Sequence, residues 1–139
     1  MKKILVLAIG VLALMSCNNE VKQVEGTYSY KISGQAIVNG DTLELNDEIG
    51  AMTIEGITSD STLVTFNALN GPAYATGAKI SKKEITLAPF TRAISVRSED
   101  YRVMAEGEGS IYNETLLITL SYNSDDVQAD SLTLLCNKN

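Results

Sequence analysis

From Gly26 to the C-terminus, apolar and polar residues alternate with a period of two, and turn-forming residues break the alternation about every ten residues. Tyr28, Tyr30 and Ile32 alternate with Thr27, Ser29, Lys31 and Ser33. The same parity runs on through Gly34 to Ala36 and Val38, which predicts one long strand bent at Gly34. Asn39-Gly40 then supplies a hairpin turn, and Leu43 and Leu45 begin the return strand. Later turn signals fall at Ser59-Asp60-Ser61, Asn70-Gly71-Pro72, Ser81-Lys82-Lys83, Ser98-Glu99-Asp100, Asn113-Glu114 and Ser124-Asp125-Asp126. No segment after Gly26 sustains a 3.6-residue period. The pattern is that of an all-β chain with about nine or ten short strands.

Several details refine it. Asn46-Asp47-Glu48 reads as a polar break, with room for a short helix between Asn46 and Ala51. Pro89 is expected to end the strand that holds Ile85 and Leu87. Gly107 and Gly109 predict a bend or bulge between Tyr101 and Tyr112. Leu116, Ile118, Leu120 and Tyr122 form the clearest inward face near the end of the chain. The architecture expected is a single antiparallel up-and-down β-barrel of about eight strands, with a two-sheet sandwich as the alternative.

The N-terminus has a different character. Lys2 and Lys3 precede an apolar run from Ile4 to Met15, and Ser16 and Cys17 follow it. That run is shorter than the roughly 20 apolar residues a spanning helix needs, and it carries no polar face, as a secretory signal does not. Leu14-Met15-Ser16-Cys17 resembles a bacterial lipobox, although Met15 is bulkier than is usual there. The resemblance implies a signal peptide over 1–16, cleavage before Cys17 and acylation of Cys17, so that the partner is a membrane reached through acyl chains. Residues 17–25 then read as a flexible lipidated tether and 26–139 as the β domain. Asn18, where a retention aspartate would stand, implies a cell-envelope lipoprotein of the outer membrane, facing either the periplasm or the outside.

The formal net charge is −6, and removal of Lys2 and Lys3 makes the remaining chain more acidic. An acidic domain of this kind is a poor partner for nucleic acid. With Cys17 acylated, Cys136 has no partner for a disulfide and reads as a small buried filler.

The chain contains no histidine, which rules out Ser-His-Asp and Cys-His catalysis and removes the commonest metal ligand. Glu106 and Glu108 share a strand face, a spacing more typical of a solvated surface than of a carboxylate pair. Asp125, Asp126 and Asp130 lack the spacing of a calcium loop. No catalytic residue, metal site or cofactor is expected, and the protein is not expected to be an enzyme.

Tyrosine supplies most of the aromatic surface: there are six Tyr, two Phe and no Trp. Gly26-Thr27-Tyr28, opening the first long strand, resembles the Gly-x-Trp that opens the first strand of lipocalins and related calycins. With the Gly-Glu-Gly-Ser-Ile-Tyr stretch at 107–112, it resembles the lipocalin-like β-barrel lipoproteins of the Bacteroidota type. Tyrosine replaces tryptophan, and no arginine lies beyond Arg102 to pack over it. The resemblance implies a barrel that binds a small apolar or amphipathic molecule. Tyr28, Tyr30, Phe66, Met104 and Tyr122 are the expected cavity wall. The rival expectation is a structural or protein-interaction lipoprotein with a filled core.

Overall fold

The computed structural model describes residues 19–139. The signal peptide expected over 1–16, the acylated Cys17 and Asn18 lie outside the described residues. A short helix, α1 (Asn19–Val24), leads into eight strands: β1 (Gly26–Val38), β2 (Asp41–Gly56), β3 (Ser61–Ala68), β4 (Tyr74–Ser81), β5 (Glu84–Val96), β6 (Glu99–Tyr112), β7 (Thr115–Asn123) and β8 (Val127–Lys138). Each strand pairs antiparallel with the next, and β8 returns to β1, so the sheet closes into an up-and-down barrel. The expected barrel is correct and the sandwich is not. Closure gives every strand two neighbours, which limits edge-to-edge association, but β2 before Gly50 and β5 after Leu87 extend beyond their pairing with the short β3 and β4.

The strands are fewer and longer than the turn signals implied, because two of the expected breaks are bulges inside strands. Asn46-Asp47-Glu48 does not turn or form a helix. It lies within β2, where Ile32 pairs with Glu48 and Gly34 with Leu45, so two residues of β2 face Ser33 alone. The extra residue switches parity: Leu43 and Leu45 point inward before it, and Glu48, Met52 and Ile54 after it. Pro89 does not end its strand. β5 runs through it with a register shift between Leu87 and Phe90. The distortion expected at Gly107 and Gly109 lies in this facing strand, whereas β6 and β7 pair without a break. The bend expected at Gly34 falls where β1 slips against both neighbours, against β2 between Ile32 and Gly34 and against β8 between Ser33 and Ile37. The Gly34 φ of 142° is a left-handed value, and a Cβ there would sit 3.2 Å from the Leu132 Cα.

The segment expected as a flexible tether is ordered from Asn19 onward. Val21 and Val24, three residues apart on one face of α1, are 4 % and 2 % exposed and join the barrel core. Burying each contributes up to about 1.5–3 kcal/mol. Polar contacts fix the docking. Glu20 accepts from the backbone N–H of Lys82 at 3.0 Å, and Glu25 accepts from that of Gly56 at 3.0 Å. The Tyr28 hydroxyl donates to the Val24 carbonyl at 2.7 Å. Lys138 donates to the Gln23 carbonyl at 3.1 Å, and its Nζ lies 6.0 Å from the Tyr28 ring centroid. A lysine from the last strand thus stands over the first-strand aromatic where the sequence offers no arginine.

This helix closes one end of the barrel, beside the turns at 57–60, 82–83 and 113–114. The interior next to it is solid. Met52, Leu116, Leu132, Leu134 and Cys136 are all fully buried there. Cys136 is the expected filler: its thiol lies 3.8 Å from the Met52 sulfur, and burial pushes its pKa up to about 12. A thiolate is therefore scarce at neutral pH. The Cys136 thiol should resist alkylation in the native protein and react in denaturant. Mass spectrometry showing rapid labelling under native conditions would contradict this packing.

Candidate functional site: a polar cluster at the open end of the barrel

The opposite end carries the turns at 39–40, 69–73, 97–98 and 124–126, and no helix covers it among the described residues. Just inside it, β2 and β5, which flank the β3–β4 hairpin, each aim a side chain inward. Glu48 reaches inward from β2 because the bulge at 46–47 resets its parity. Arg92 reaches inward from β5, on the same face as Ile94 and Val96. Their side chains form a two-pronged ion pair, with Nη1 to Oε1 at 3.0 Å and Nη2 to Oε2 at 2.5 Å. Side-chain exposure is 6 % for Arg92 and 19 % for Glu48, so the carboxylate is the member nearer water.

Three tyrosines complete the cluster. Tyr30 and Tyr74 both donate to Glu48 Oε1, at 2.9 and 2.6 Å. Arg92 Nη1 also donates to the hydroxyls of Tyr74 and Tyr122, at 2.7 and 3.0 Å, and Nε donates to the Ala93 carbonyl. The guanidinium carbon lies 4.0 Å from the Tyr74 ring centroid, within cation–π range. The shared oxygen of Glu48 thus accepts from three donors, which is what a buried carboxylate requires to stay charged. No buried side-chain nitrogen or oxygen lacks a partner among the described residues.

Burial raises the phenol pKa values. That of Tyr122 is pushed up to about 12, with the neighbouring Arg92 charge and hydrogen bond opposing the rise and Glu48 adding to it. Tyr30 and Tyr74 are raised further by burial, with the Glu48 charge acting in the same direction. All three phenols are therefore neutral donors at physiological pH. An aromatic layer backs them. Phe66 meets Tyr30 edge-on at 5.3 Å and stacks on Tyr74 at 4.7 Å, and Phe90 stacks on Tyr74 at 5.7 Å.

Two cavities open above the cluster. One, of about 300 Å³, is walled by Ile32, Leu43, Leu45, Ile94 and Val96, with Glu44, Glu48, Ser95, Arg97 and Tyr122 as its polar lining. The other, of about 490 Å³, lies between Glu48, Arg92, Ile94 and the 70–72 turn. Glu48 lines both.

Of the five wall residues expected from sequence, Tyr30, Phe66 and Tyr122 meet in this cluster. Tyr28 is buried, but at the closed end against α1. Met104 is a correction: it is 48 % exposed on the outer face, because Val103 and Ala105 carry the inward parity of β6. Glu106 and Glu108 are likewise exposed on the outside, remote from the lumen. The sequence reading missed Glu48 and Arg92. Arg92 was discoverable, since it shares parity with Ile94 and Val96. Glu48 was hidden by the bulge that sets its direction.

No family model and no curated protein matches the chain by sequence. The solved structure of EF1p2_mFAP2b bound to DFHBI is similar in fold, with a TM-score of 0.56. The two share 12 % identity over 88 % of this chain and 99 % of that one. At this identity the likeness is one of β-barrel architecture.

Removing one partner of the ion pair should leave the other buried and unpaired. Glu48→Ala is expected to destabilise the fold by about 3–5 kcal/mol, whereas Glu48→Met combined with Arg92→Leu should recover most of that loss. Urea denaturation of the single and double variants checks this. A double variant no more stable than Glu48→Ala would mean the two residues do not act as a pair.

Proposed function

We propose that this protein is a lipid-anchored envelope lipoprotein that takes a small amphipathic molecule into the open end of its barrel. The observation that carries the reading is the roughly 300 Å³ cavity, lined by five aliphatic side chains and by Glu44, Glu48, Ser95, Arg97 and Tyr122. Its volume is at the lower end for a small-molecule site, and its mixed lining suits an amphipathic occupant. An eight-stranded barrel has room for side chains or for one small ligand, and this one divides the two between its halves. Side chains fill the closed half, so an occupant lies in the mouth and not along the whole axis. The bound DFHBI of the structural neighbour is a precedent for this architecture holding a molecule. Binding, not catalysis, is the role proposed.

Anchoring rests on the lipobox-like Leu14-Met15-Ser16-Cys17. Cys17 precedes α1 by a single residue, and α1 is docked at the closed end. Acyl chains on Cys17 would join the domain beside that end and leave the mouth at the other. The second reading, a protein-interaction lipoprotein, draws on the outer face. Leu117 and Leu135 are cross-strand partners and are 44 % and 39 % exposed. In-cell crosslinking through that face would reveal a reproducible protein partner if this reading is the correct one.

Two outcomes are expected. Cells fed an alkyne-bearing fatty acid should label the protein, and Cys17→Ala should abolish the label; an unlabelled wild-type protein would refute the anchor. Leu43→Trp, which places a large ring in the half-buried cavity wall, should leave the fold intact and remove binding of a small amphiphile measured by calorimetry. Unchanged binding would place the site elsewhere.

A further inference from the structure

We infer that the molecule taken by the mouth is a cationic amphiphile, an apolar chain ending in an amine, and not a fatty acid. The inference rests on the binding role proposed above and specifies its chemistry.

The first argument is which charge a ligand meets. The cluster contains one cation and one anion, but they are not equally available. Arg92 is the deeper side chain, and its donors already serve Glu48, Tyr74, Tyr122 and the Ala93 carbonyl. A ligand carboxylate would have to displace Glu48 from that guanidinium and leave a second carboxylate stranded beside it. Like charges at that range repel strongly in a partly buried site. Glu48 is the more exposed partner and lines both cavities, and its Oε2 accepts only from Arg92 among the described residues. An ammonium group can add to Glu48 without breaking the existing pair.

The second argument is the rim. Asp41, Glu99, Asp100, Asp125 and Asp126 stand in or beside the turns of the open end, and Glu44 lines the smaller cavity. Arg97 is the one basic residue in those turns among the described residues, and it too lines the smaller cavity, where Glu44 and Glu48 outnumber it. The closed end differs, since Lys22, Lys82, Lys83 and Lys138 offset its acids. The mouth therefore presents a negative potential, which favours approach of cations and disfavours anions.

A third observation is independent of charge. Tyr122 is 3 % exposed and lines the smaller cavity. Its oxygen accepts from Arg92, and its own proton has no acceptor among the described residues. It can donate to a second polar atom beside the amine, while Ile32, Leu43, Leu45, Ile94 and Val96 take the apolar chain.

Three probes of equal chain length test this: octylamine, octanol and octanoate. They would be titrated near neutral pH into the native lipoprotein held in zwitterionic nanodiscs, whose lipids carry no net charge. Calorimetry should show octylamine binding at least about tenfold more tightly than octanoate, with octanol between them. Asp125→Asn with Asp126→Asn, exposed in the 124–126 turn and outside both cavity linings, should reduce that ratio to about threefold or less while leaving octanol unchanged. Octanoate binding as tightly as octylamine, or a ratio that the double variant does not move, would overturn the inference while leaving a mouth-binding protein. If none of the three responds to Leu43→Trp, the binding role fails and takes this inference with it.

Discussion

The Glu48–Arg92 pair sets the terms for the whole interior. It joins β2 and β5, strands that are not neighbours in the sheet, so it ties the wall together across the β3–β4 hairpin that separates them. Two charges cannot be taken into an apolar interior without full compensation, and here three phenols and a backbone carbonyl share the task. That requirement accounts for the use of tyrosine. A phenylalanine at position 30, 74 or 122 would supply the same ring but leave the ion pair short of a hydrogen-bond partner. A buried ion pair gains little stability over an apolar filling; what this one provides is a polar floor where a solid core would otherwise continue.

The barrel therefore has two interiors. Below the cluster, Met52, Leu116, Leu132, Leu134 and Cys136 pack with no exposure, and Val21 and Val24 of α1 seal the end. Above it, Leu43 and Leu45 are only half-buried, and the strands enclose open volume. The bulge in β2 separates these regions by chain position. Before it, odd-numbered leucines face a cavity; after it, even-numbered residues face the pair and then the core. One extra residue thus both aims Glu48 and changes the wall from cavity to packing.

Much of this architecture was readable in the chain. The alternation from Tyr28 to Val38, the Asn39-Gly40 hairpin and the inward face of Leu116, Ile118, Leu120 and Tyr122 follow from period-two patterning. What escaped was information carried by pairing between strands. A bulge looks like a turn in one sequence, because both are polar interruptions. Only the partner strand shows that Asn46 and Asp47 both face Ser33. Met104 is a different case, because the alternation did point outward: it shares parity with Arg102, Glu106 and Glu108, whereas Val103 and Ala105 share the other face. The pairing of Glu48 with Arg92 was beyond reach: 44 residues separate them, and their meeting depends on barrel closure and the bulge together.

The docked helix alters what anchoring would mean. A flexible tether would let the barrel present any side to a membrane. A helix held by Glu20, Gln23 and Glu25 at one end of the barrel removes that freedom from Asn19 onward. An acylated Cys17 would then emerge next to the sealed, solid half of the domain. The acidic mouth would point the other way, toward molecules in the aqueous phase and not toward the lipid that holds the protein. Exchange of an amphiphile with the bilayer would then require detachment of α1 or tilting of the whole domain. With Val21 and Val24 buried, detachment exposes apolar surface and is disfavoured by a few kcal/mol at most by area alone. The helix is therefore both the seal of the closed end and the element that fixes which end remains open.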